Sequence, residues 1–184
     1  QTEAMTLGDR IVIMKDGVVQ QIGTPQEVFN HPANLFVAGF IGTPQMNFFD
    51  ASLLLTTEGQ YAVEIGSVRV VLSYEKQENL RRNGVQPRKI TLGVRPEHIV
   101  LTKGGENALH GKVDVSEMMG SAVHLHVKCG GKDAIIVVPT LNLSEKALEG
   151  FNSGSEIAFT FSGNVAHMFD HESGVNLEGA LQHH

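Results

Sequence analysis

The sequence predicts a mainly β protein of one or two small barrels, preceded by a short β-hairpin plus two helices. From about residue 61 onward, short runs of alternating apolar and polar residues are separated by turn signals, as is typical of small antiparallel barrels. The 184 residues also include 20 glycines and no tryptophan, which indicates many turns and short strands. Before this β pattern lie the signals of a tight hairpin turn and of a helix start.

The hairpin is predicted from two apolar runs around Asp16-Gly17. The first run covers residues 10–15 and the second covers residues 18–22. Asp-Gly between two apolar runs is among the strongest short-range hairpin signals, because both residues tolerate the positive φ of a tight turn. We therefore expect an antiparallel strand pair here.

Two short helices are predicted after the hairpin. Thr24 is a favourable N-cap, Pro25 suits the first helical position, and Glu27 completes a capping box. Pro32 ends this helix, and residues 33–41 predict a second helix, whose apolar side chains are too numerous for two turns facing water. This segment is too short to own a core. We therefore expect a second copy of the chain to cover its apolar surface by strand or helix exchange; this surface includes Ile11, Ile13, Val19, Phe36 and Phe40.

The β pattern continues to about residue 180. Residues 61–65 and 68–72 predict a hairpin around Gly66-Ser67, followed by a helix over 74–82 whose charges form a solvated face, with Glu78 and Arg82 spaced for a surface ion pair. A strand over residues 90–94 leads to the middle of the chain. Further strands are predicted near residues 112–116, 123–127, 134–138, 156–161, 165–169 and 175–177, with a helical turn near 144–150.

The least generic stretch is the octapeptide LGVRPEHI in the middle of the chain. Gly93 permits a close backbone approach, and Pro96 fixes its own φ and favours an extended Arg95. Arg95, Glu97 and His98 add a cation, an anion and a titratable ring. One interpretation is a brace for the junction between the barrels, made by an Arg–Glu or an Arg–carbonyl network. The other is a surface for dimer contact or regulator docking.

Two groups of histidines are candidate metal sites. His124 and His126 share one face of a predicted strand, but no third ligand is in evident reach, which favours two solvated histidines. His167, Asp170 and His171 form a looser group that is typical of a surface turn. The sequence therefore predicts no metal ligands.

Composition and missing motifs narrow the function. A net charge of −6 without a basic block disfavours nucleic acid as a partner, and the single cysteine, Cys129, excludes an internal disulfide and fits a reducing compartment. No phosphate-binding loop of the form G-x-x-x-x-G-K-[ST] occurs, and no apolar strand ends in Asp-Glu. We therefore expect this chain to hold no catalytic residue and no cofactor, and not to be an enzyme by itself.

Several motifs resemble one known family, the ATP-binding (ATPase) subunits of sugar-type ABC importers, which include the maltose- and glycerol-phosphate-importer ATPases. The first motifs are similar to the end of the ATPase domain of that family. The later ones are similar to its C-terminal regulatory domain, with His167, Phe169 and Asp170 in the closing motif; relatives commonly carry a proline shortly before it, where this chain has Ser162-Gly163. The motifs are QTEAMTLGDRI at residues 1–11, MKDG at 14–17, QIGTP at 21–25, PANLFVAGFIG at 32–42, LGVRPEH at 92–98 and HMFD at 167–170.

The resemblance implies the domain organisation. Residues 1–42 would be the C-terminal tail of a truncated ABC ATPase domain, and residues 43–180 a regulatory domain of oligonucleotide/oligosaccharide-binding-like barrels, related to molybdate-binding modules. Residues 181–184 look like the remnant of a purification tag.

The resemblance also implies function and partners. The region would regulate and dimerise an importer ATPase that couples ATP hydrolysis to uptake of a sugar or related solute, with ATP and Mg²⁺ bound in the ATPase domain. The expected partners are a second copy, the membrane-spanning importer subunits and a cytosolic regulator, at the cytoplasmic face of the cell membrane. The alternative is a small-ligand module, for an oxyanion or a sugar, of the molybdate-binding type.

Overall fold

Two five-stranded antiparallel sheets form most of the computed structural model, which describes residues 10–179 (for Asn142, the backbone alone). The first nine residues of the motif at residues 1–11 and the predicted tag remnant at 181–184 lie outside these residues. A short module precedes the sheets: strands β1 (Ile11–Lys15) and β2 (Val18–Gly23), then helices α1 (Pro25–Asn30) and α2 (Leu35–Phe40). The predicted hairpin plus two helices is thus confirmed.

Local chemistry explains the elements of this module. Asp16 and Gly17 have φ values of 51° and 77°, so the turn uses the left-handed conformations that an Asp-Gly hairpin favours. The Thr24 side chain accepts a hydrogen bond from the Glu27 backbone N–H at 3.2 Å and caps α1. Asn34, which was not predicted as a cap, does the same for α2.

The apolar side chains of the module are covered on one face only. The chain itself buries a small cluster formed by Ile11, Ile13, Val28, Val37 and Ile41, so the expectation that a second copy must cover Ile11 and Ile13 is wrong. On the opposite side, apolar side chains of the hairpin and α2 remain about half exposed: Val12, Met14, Val18, Val19, Ile22 and Phe40.

The first five-stranded sheet has the order β12-β6-β3-β4-β5. Its strands are β3 (Asn47–Leu55), β4 (Tyr61–Ile65), β5 (Val68–Val71), β6 (Arg88–Val94) and β12 (His167–Asp170). Strand β3 was not predicted, although it lies at the centre of the sheet. Phe49 enters the main core while its neighbour Phe48 packs against a second cluster near α2, and apolar residues on both faces remove the period-two signal.

The second sheet has the order β10-β9-β8-β11-β7. Its strands are β7 (Val100–Thr102), β8 (Leu109–Met118), β9 (Ala122–Cys129), β10 (Lys132–Pro139) and β11 (Glu156–Thr160). Inward-facing side chains of both sheets form one continuous hydrophobic core, with Leu53, Leu92 and Met168 from the first sheet and Leu125 and Phe159 from the second. The sheets are therefore packed layers of one unit.

Two further helices complete the fold, α3 (Tyr74–Arg82) and α4 (Glu145–Glu149). The bounds of α3 match the prediction. The surface pair on α3 joins Glu78 to Arg81 at 3.1 Å, so the predicted Glu78–Arg82 pair is wrong. The described residues include no helix with the length and apolar character needed to cross a lipid bilayer.

Two asparagine side chains connect each sheet to an edge strand of the other. Asn47 of β3 donates to the Ile135 carbonyl at 2.8 Å and accepts from the Ile135 N–H at 2.7 Å, on edge strand β10. Asn107, in the β7–β8 connection, makes the same two bonds to Arg69 on edge strand β5, at 3.0 Å and 2.9 Å. Neither contact carries a signal in the sequence.

Candidate functional site

The central octapeptide forms the crossover between the two sheets. Gly93 lies in β6, Arg95 follows its end, and Pro96 begins a single turn of 3-10 helix (Pro96–His98) that leads to β7 of the second sheet. A Cβ on Gly93 would collide with the Met46 sulfur and lie 3.2 Å from the Phe169 ring. A side chain at this position would therefore require Met46 to move.

Arg95 is buried at this crossover, with 1% of its surface exposed. Its guanidinium donates to the Ile41 carbonyl at 2.9 Å and to the Phe29 carbonyl at 2.6 Å, and lies 3.7 Å from the centre of the Phe29 ring. Burial lowers the pKa of Arg95 to about 10, against a small opposing effect of Glu97. Arg95 thus ties the carboxyl ends of α1 and α2 to the first sheet.

This geometry decides between the two predicted networks. Arg95 bonds backbone carbonyls, whereas Glu97 is exposed and makes no hydrogen bond to Arg95 within residues 10–179. The proposed Arg95–Glu97 pair is therefore wrong. The brace also joins different parts than expected, because Phe29 and Ile41 belong to the N-terminal module and not to the second sheet.

The closing motif lies directly beside the octapeptide. Strand β12 pairs with β6 so that His167 is opposite Gly93 and Phe169 is opposite Thr91. Asp170 accepts a hydrogen bond from the Ser173 N–H at 2.9 Å, which, with a weaker contribution from Arg88, lowers the pKa of the Asp170 carboxyl. Two motifs that lie some 70 positions apart in the sequence thus meet on paired strands, while His171 stays exposed on the turn.

A polar cleft of about 210 Å³ opens between α1, the start of α3 and β12. Its lining includes His31, Lys76, Arg95, His98, His167 and Glu178. Lys76 and Glu178 form a buried ion pair at 2.9 Å, and Asn79 donates to the same carboxylate at 3.1 Å. The expectation that the charges of α3 form a solvated face is therefore wrong for Lys76.

Positive neighbours and burial set the charge state of His167. Its side chain is 6% exposed, and the pKa of His167 lies well below the ordinary value of 6.5. The largest cause is burial, followed by the nearby charges of Lys76 and Arg95 and by His31 and His98. His167 is consequently a neutral imidazole at physiological pH.

Sequence reasoning found Arg95, His98 and His167 but missed Phe29, His31, Lys76 and Glu178. The missed residues come from three other segments, and only the tertiary fold brings them together. At the other histidine pair, His124 and His126, the His126 ring contacts the Glu117 carboxylate on the neighbouring strand. Among residues 10–179, no three His, Cys, Asp or Glu side chains are placed to hold a metal ion.

Two domain families match the chain. Residues 42–99 match the MalK OB fold domain, and residues 92–169 match the TOBE domain. The two matches overlap at residues 92–99, which are the octapeptide at the crossover. The family boundary therefore coincides with the connection between the two sheets.

Relatives of known name match over almost the whole chain. The oligosaccharides import ATP-binding protein MsmX of Bacillus subtilis (strain 168) is 36% identical over 182 residues, covering 96% of this chain and 47% of MsmX. The trehalose/maltose import ATP-binding protein MalK of Thermococcus litoralis is 37% identical over 180 residues, covering 95% of this chain and 45% of that protein. The chain thus spans about half the length of the curated relatives it matches.

One solved structure shows the same kind of fold. The cytoplasmic molybdate-binding protein ModG superposes with a TM-score of 0.52 at 16% identity, covering 66% of this chain and 94% of ModG. At this identity the likeness supports the barrel-type fold alone. The expectation of a mainly β, oligonucleotide/oligosaccharide-binding-like fold related to molybdate-binding modules is confirmed.

Proposed function

The chain belongs to the C-terminal regulatory region of the ATP-binding subunits of sugar-type ABC importers, and from this premise we propose that its crossover couples the regulatory sheets to the ATPase domain. The observation that carries the proposal is the Arg95 brace. Residues 10–42 are the segment that resembles the end of the ATPase domain, and Arg95 holds both of its helices at 2.6 and 2.9 Å. A displacement of the first sheet would therefore move this segment with it.

A second attachment supports the same coupling. The Leu35 N–H donates to the Gly174 carbonyl at 2.9 Å, and Asn176 bonds the backbone of Ala33 and of Pro32 at 3.0 and 2.8 Å. These contacts follow directly after β12, which carries the closing motif. The octapeptide and the segment that follows the closing motif thus both hold the N-terminal module.

Hydrogen–deuterium exchange tests the coupling in this chain. We expect Arg95→Ala to increase amide exchange in α1 and α2 while leaving exchange in β9 and β10 unchanged. The matched control is Arg88→Ala, because Arg88 is exposed on β6 and its guanidinium donates to the Gln86 carbonyl at 3.1 Å and to the Asp170 carboxylate at 3.4 Å, away from α1 and α2. Unchanged exchange in α1 and α2 would refute the proposal that Arg95 transmits movement between the two parts.

In the parent protein we assign ATP and Mg²⁺ binding, and hydrolysis coupled to import of a sugar or related solute, to the ATPase domain. The chain itself would not be an enzyme. This fits the absence of a phosphate-binding loop from the sequence. Measurable affinity of this chain for Mg-ATP in calorimetry would contradict the assignment.

We further propose that the region forms a homodimer, which places two ATPase domains side by side beneath the membrane-spanning subunits and offers a surface to a cytosolic regulator. Light scattering across a concentration series tests the dimer. The expected result is twice the monomer mass at high micromolar concentration. A monomer mass throughout the series would remove dimerisation from the proposed function.

A further inference from the structure

Three histidine rings lie where the N-terminal module meets the first sheet. His31 directly follows α1 of the module, His98 ends the 3-10 turn of the crossover, and His167 begins β12. All three line the polar cleft, as do Arg95 and Lys76. The junction thus combines two cations with three titratable rings.

The carboxylates near this junction leave part of the positive charge unbalanced. Glu178 accepts a hydrogen bond from Lys76 at 2.9 Å and balances that cation alone. Arg95 donates to two backbone carbonyls, which carry no net charge. The side chains of Glu75 and Glu97 are exposed. A proton added to a ring at this junction therefore meets positive neighbours.

Burial also leaves two of the rings without an acceptor for a second N–H. Within residues 10–179, His98 Nδ1 and His167 Nδ1 are buried from water and have no hydrogen-bond partner. A neutral imidazole needs no acceptor at Nδ1 when that nitrogen carries the lone pair. An imidazolium carries a proton on both nitrogens, so each buried Nδ1–H would be a charged donor without a partner, which is costly. The closed junction therefore accommodates neutral rings and disfavours protonated ones.

His167 is surrounded by positive and titratable groups from several elements. The groups that face it are Lys76 of α3, Arg95 and His98 of the crossover and His31 of the module. Strand β6 places Gly93 opposite His167 and adds no charge there. Glu178 lines the same cleft, but its carboxylate is already paired. The ring of His167 thus has no free carboxylate to stabilise its protonated form among the described residues that line the cleft.

We propose that protonation of His167 releases the N-terminal module from the first sheet in acid. In the closed junction, Arg95 holds α1 and α2, and His167 stays neutral. An open junction would expose the ring to water, where it can bind a proton. Opening is then coupled to proton uptake, so the open population rises as the pH falls. This inference rests on the coupling proposed for Arg95, because it names a condition that regulates the same junction.

The pH range of the release follows from the two states of His167. In the open junction the ring has its ordinary pKa of 6.5, whereas burial and positive neighbours hold the pKa of His167 well below that value in the closed one. Above pH 6.5 neither state binds the proton, so opening does not depend on pH. Below it the open state binds the proton first, and the opening equilibrium rises by about tenfold per pH unit until the lowered pKa is reached.

Hydrogen–deuterium exchange of this chain at about pH 7.5 and about pH 5.5 tests the release. Exchange is expressed as protection factors, which removes the pH dependence of the intrinsic exchange rate. We expect protection of the amides in α1 and α2 to fall about tenfold in acid, while protection in β4 and β9 changes by less than about twofold. Unchanged protection in α1 and α2 would refute the release. An equal loss in β4 and β9 would show that acid unfolds the whole chain, which would also overturn the proposal.

His167→Gln removes the titrating ring and keeps a polar side chain. We expect protection of α1 and α2 in this variant to change by less than about twofold between the two pH values, whatever its absolute level. The matched control is His171→Gln, because His171 is exposed on the turn that follows β12. This control should show the same tenfold loss as the unaltered chain. A full loss in His167→Gln, or no loss in His171→Gln, would refute the assignment to His167. The unaltered chain alone can refute the release, even if His167→Gln does not fold.

Arg95→Ala separates this inference from the proposed coupling. Faster exchange of α1 and α2 in Arg95→Ala at neutral pH, together with no effect of acid on the unaltered chain, would leave the coupling in place and refute the release. An effect of acid without any effect of Arg95→Ala would refute the coupling role of Arg95. The two failures are therefore distinguishable in one set of measurements.

Discussion

Asn47 and Asn107 make the same pair of hydrogen bonds in two different environments. Each side-chain amide bonds both the N–H and the C=O of one residue on an edge strand, so each replaces a missing neighbouring strand. Asn47 is 5% exposed and reaches β10 from the first sheet, whereas Asn107 is exposed and reaches β5 from a loop. Bond lengths alone would rank the two contacts as equals.

The two contacts differ in what happens to the backbone N–H and C=O of the edge strand when the asparagine amide is removed. The contact between the buried Asn47 and the half-buried Ile135 is less open to water than that of Asn107, and an unsatisfied buried group costs about 1–3 kcal/mol. Near Asn107, water can replace the lost bonds to Arg69. Burial, and not the number of bonds, should therefore decide which contact stabilises the packing of the two sheets.

The largest effect is expected at Arg95, a third side chain that holds backbone groups of another element. Arg95→Ala removes two hydrogen bonds to buried carbonyls and the contact with the Phe29 ring. We expect a loss of about 3 kcal/mol in the free energy of unfolding, measured by urea titration. Arg95→Lys keeps the charge but not the fork of donors, so it should recover only part of that loss; full recovery would show that charge alone matters.

Asn47→Ala should follow, with a loss of about 2 kcal/mol in the free energy of unfolding, because it leaves the Ile135 N–H and C=O without partners. Urea unfolding measures it. Asn47→Asp sharpens the result, since the carboxylate keeps an acceptor for the N–H but faces the carbonyl without a donor. We expect Asn47→Asp to be at least as destabilising as Asn47→Ala, and a milder effect would contradict this account of the contact.

His167 is buried like Asn47, and it should make the free energy of unfolding depend on pH. Its pKa in the folded chain is lowered by burial and by Lys76 and Arg95, so the unfolded chain binds the proton first as the pH falls. The stability is fully present above the ordinary pKa of 6.5 and decreases below it, by about 1.4 kcal/mol per pH unit until the lowered native pKa is reached.

Urea unfolding between pH 7.5 and about 5 measures this slope. His167→Gln removes one titrating group. The pH dependence of the free energy of unfolding should therefore decrease by the equivalent of about one bound proton, whatever the absolute stability of the variant. His124→Gln, outside the cleft, is the matched control. An unchanged slope in His167→Gln would show that His167 is not the group that destabilises the fold in acid.

Local signals in the sequence predicted many of the helices and strands but few of the contacts between residues that lie far apart in the sequence. The Asp16-Gly17 turn, the Thr24 cap and the bounds of α3 follow from short-range chemistry that the sequence displays directly. Strand β3 was not predicted because apolar residues occur on both of its faces and remove the period-two signal. Lys76 was predicted to be solvated because its buried partner, Glu178, lies 102 positions away in the sequence.

The site was predictable only in part. Arg95 and His167 could be singled out because each lies in a distinctive motif that resembles a family pattern. The hydrogen-bond partners of Arg95 are the Phe29 and Ile41 carbonyls, and a backbone carbonyl carries no residue-type signal. Which group an arginine bonds is thus decided by the packing of the N-terminal module on the first sheet, which a single sequence does not display.

Asn107→Ala is expected to have the smallest effect, and it is the direct counterpart of Asn47→Ala. It removes two hydrogen bonds of 2.9 and 3.0 Å, equal in number to those of Asn47. Because the Arg69 backbone is exposed, water replaces both, and the free energy of unfolding should change by less than about 0.5 kcal/mol. A loss as large as that of Asn47→Ala would show that the number of bonds matters more than burial, and that the exposed edge of β5 depends on its asparagine as much as the buried edge of β10 does.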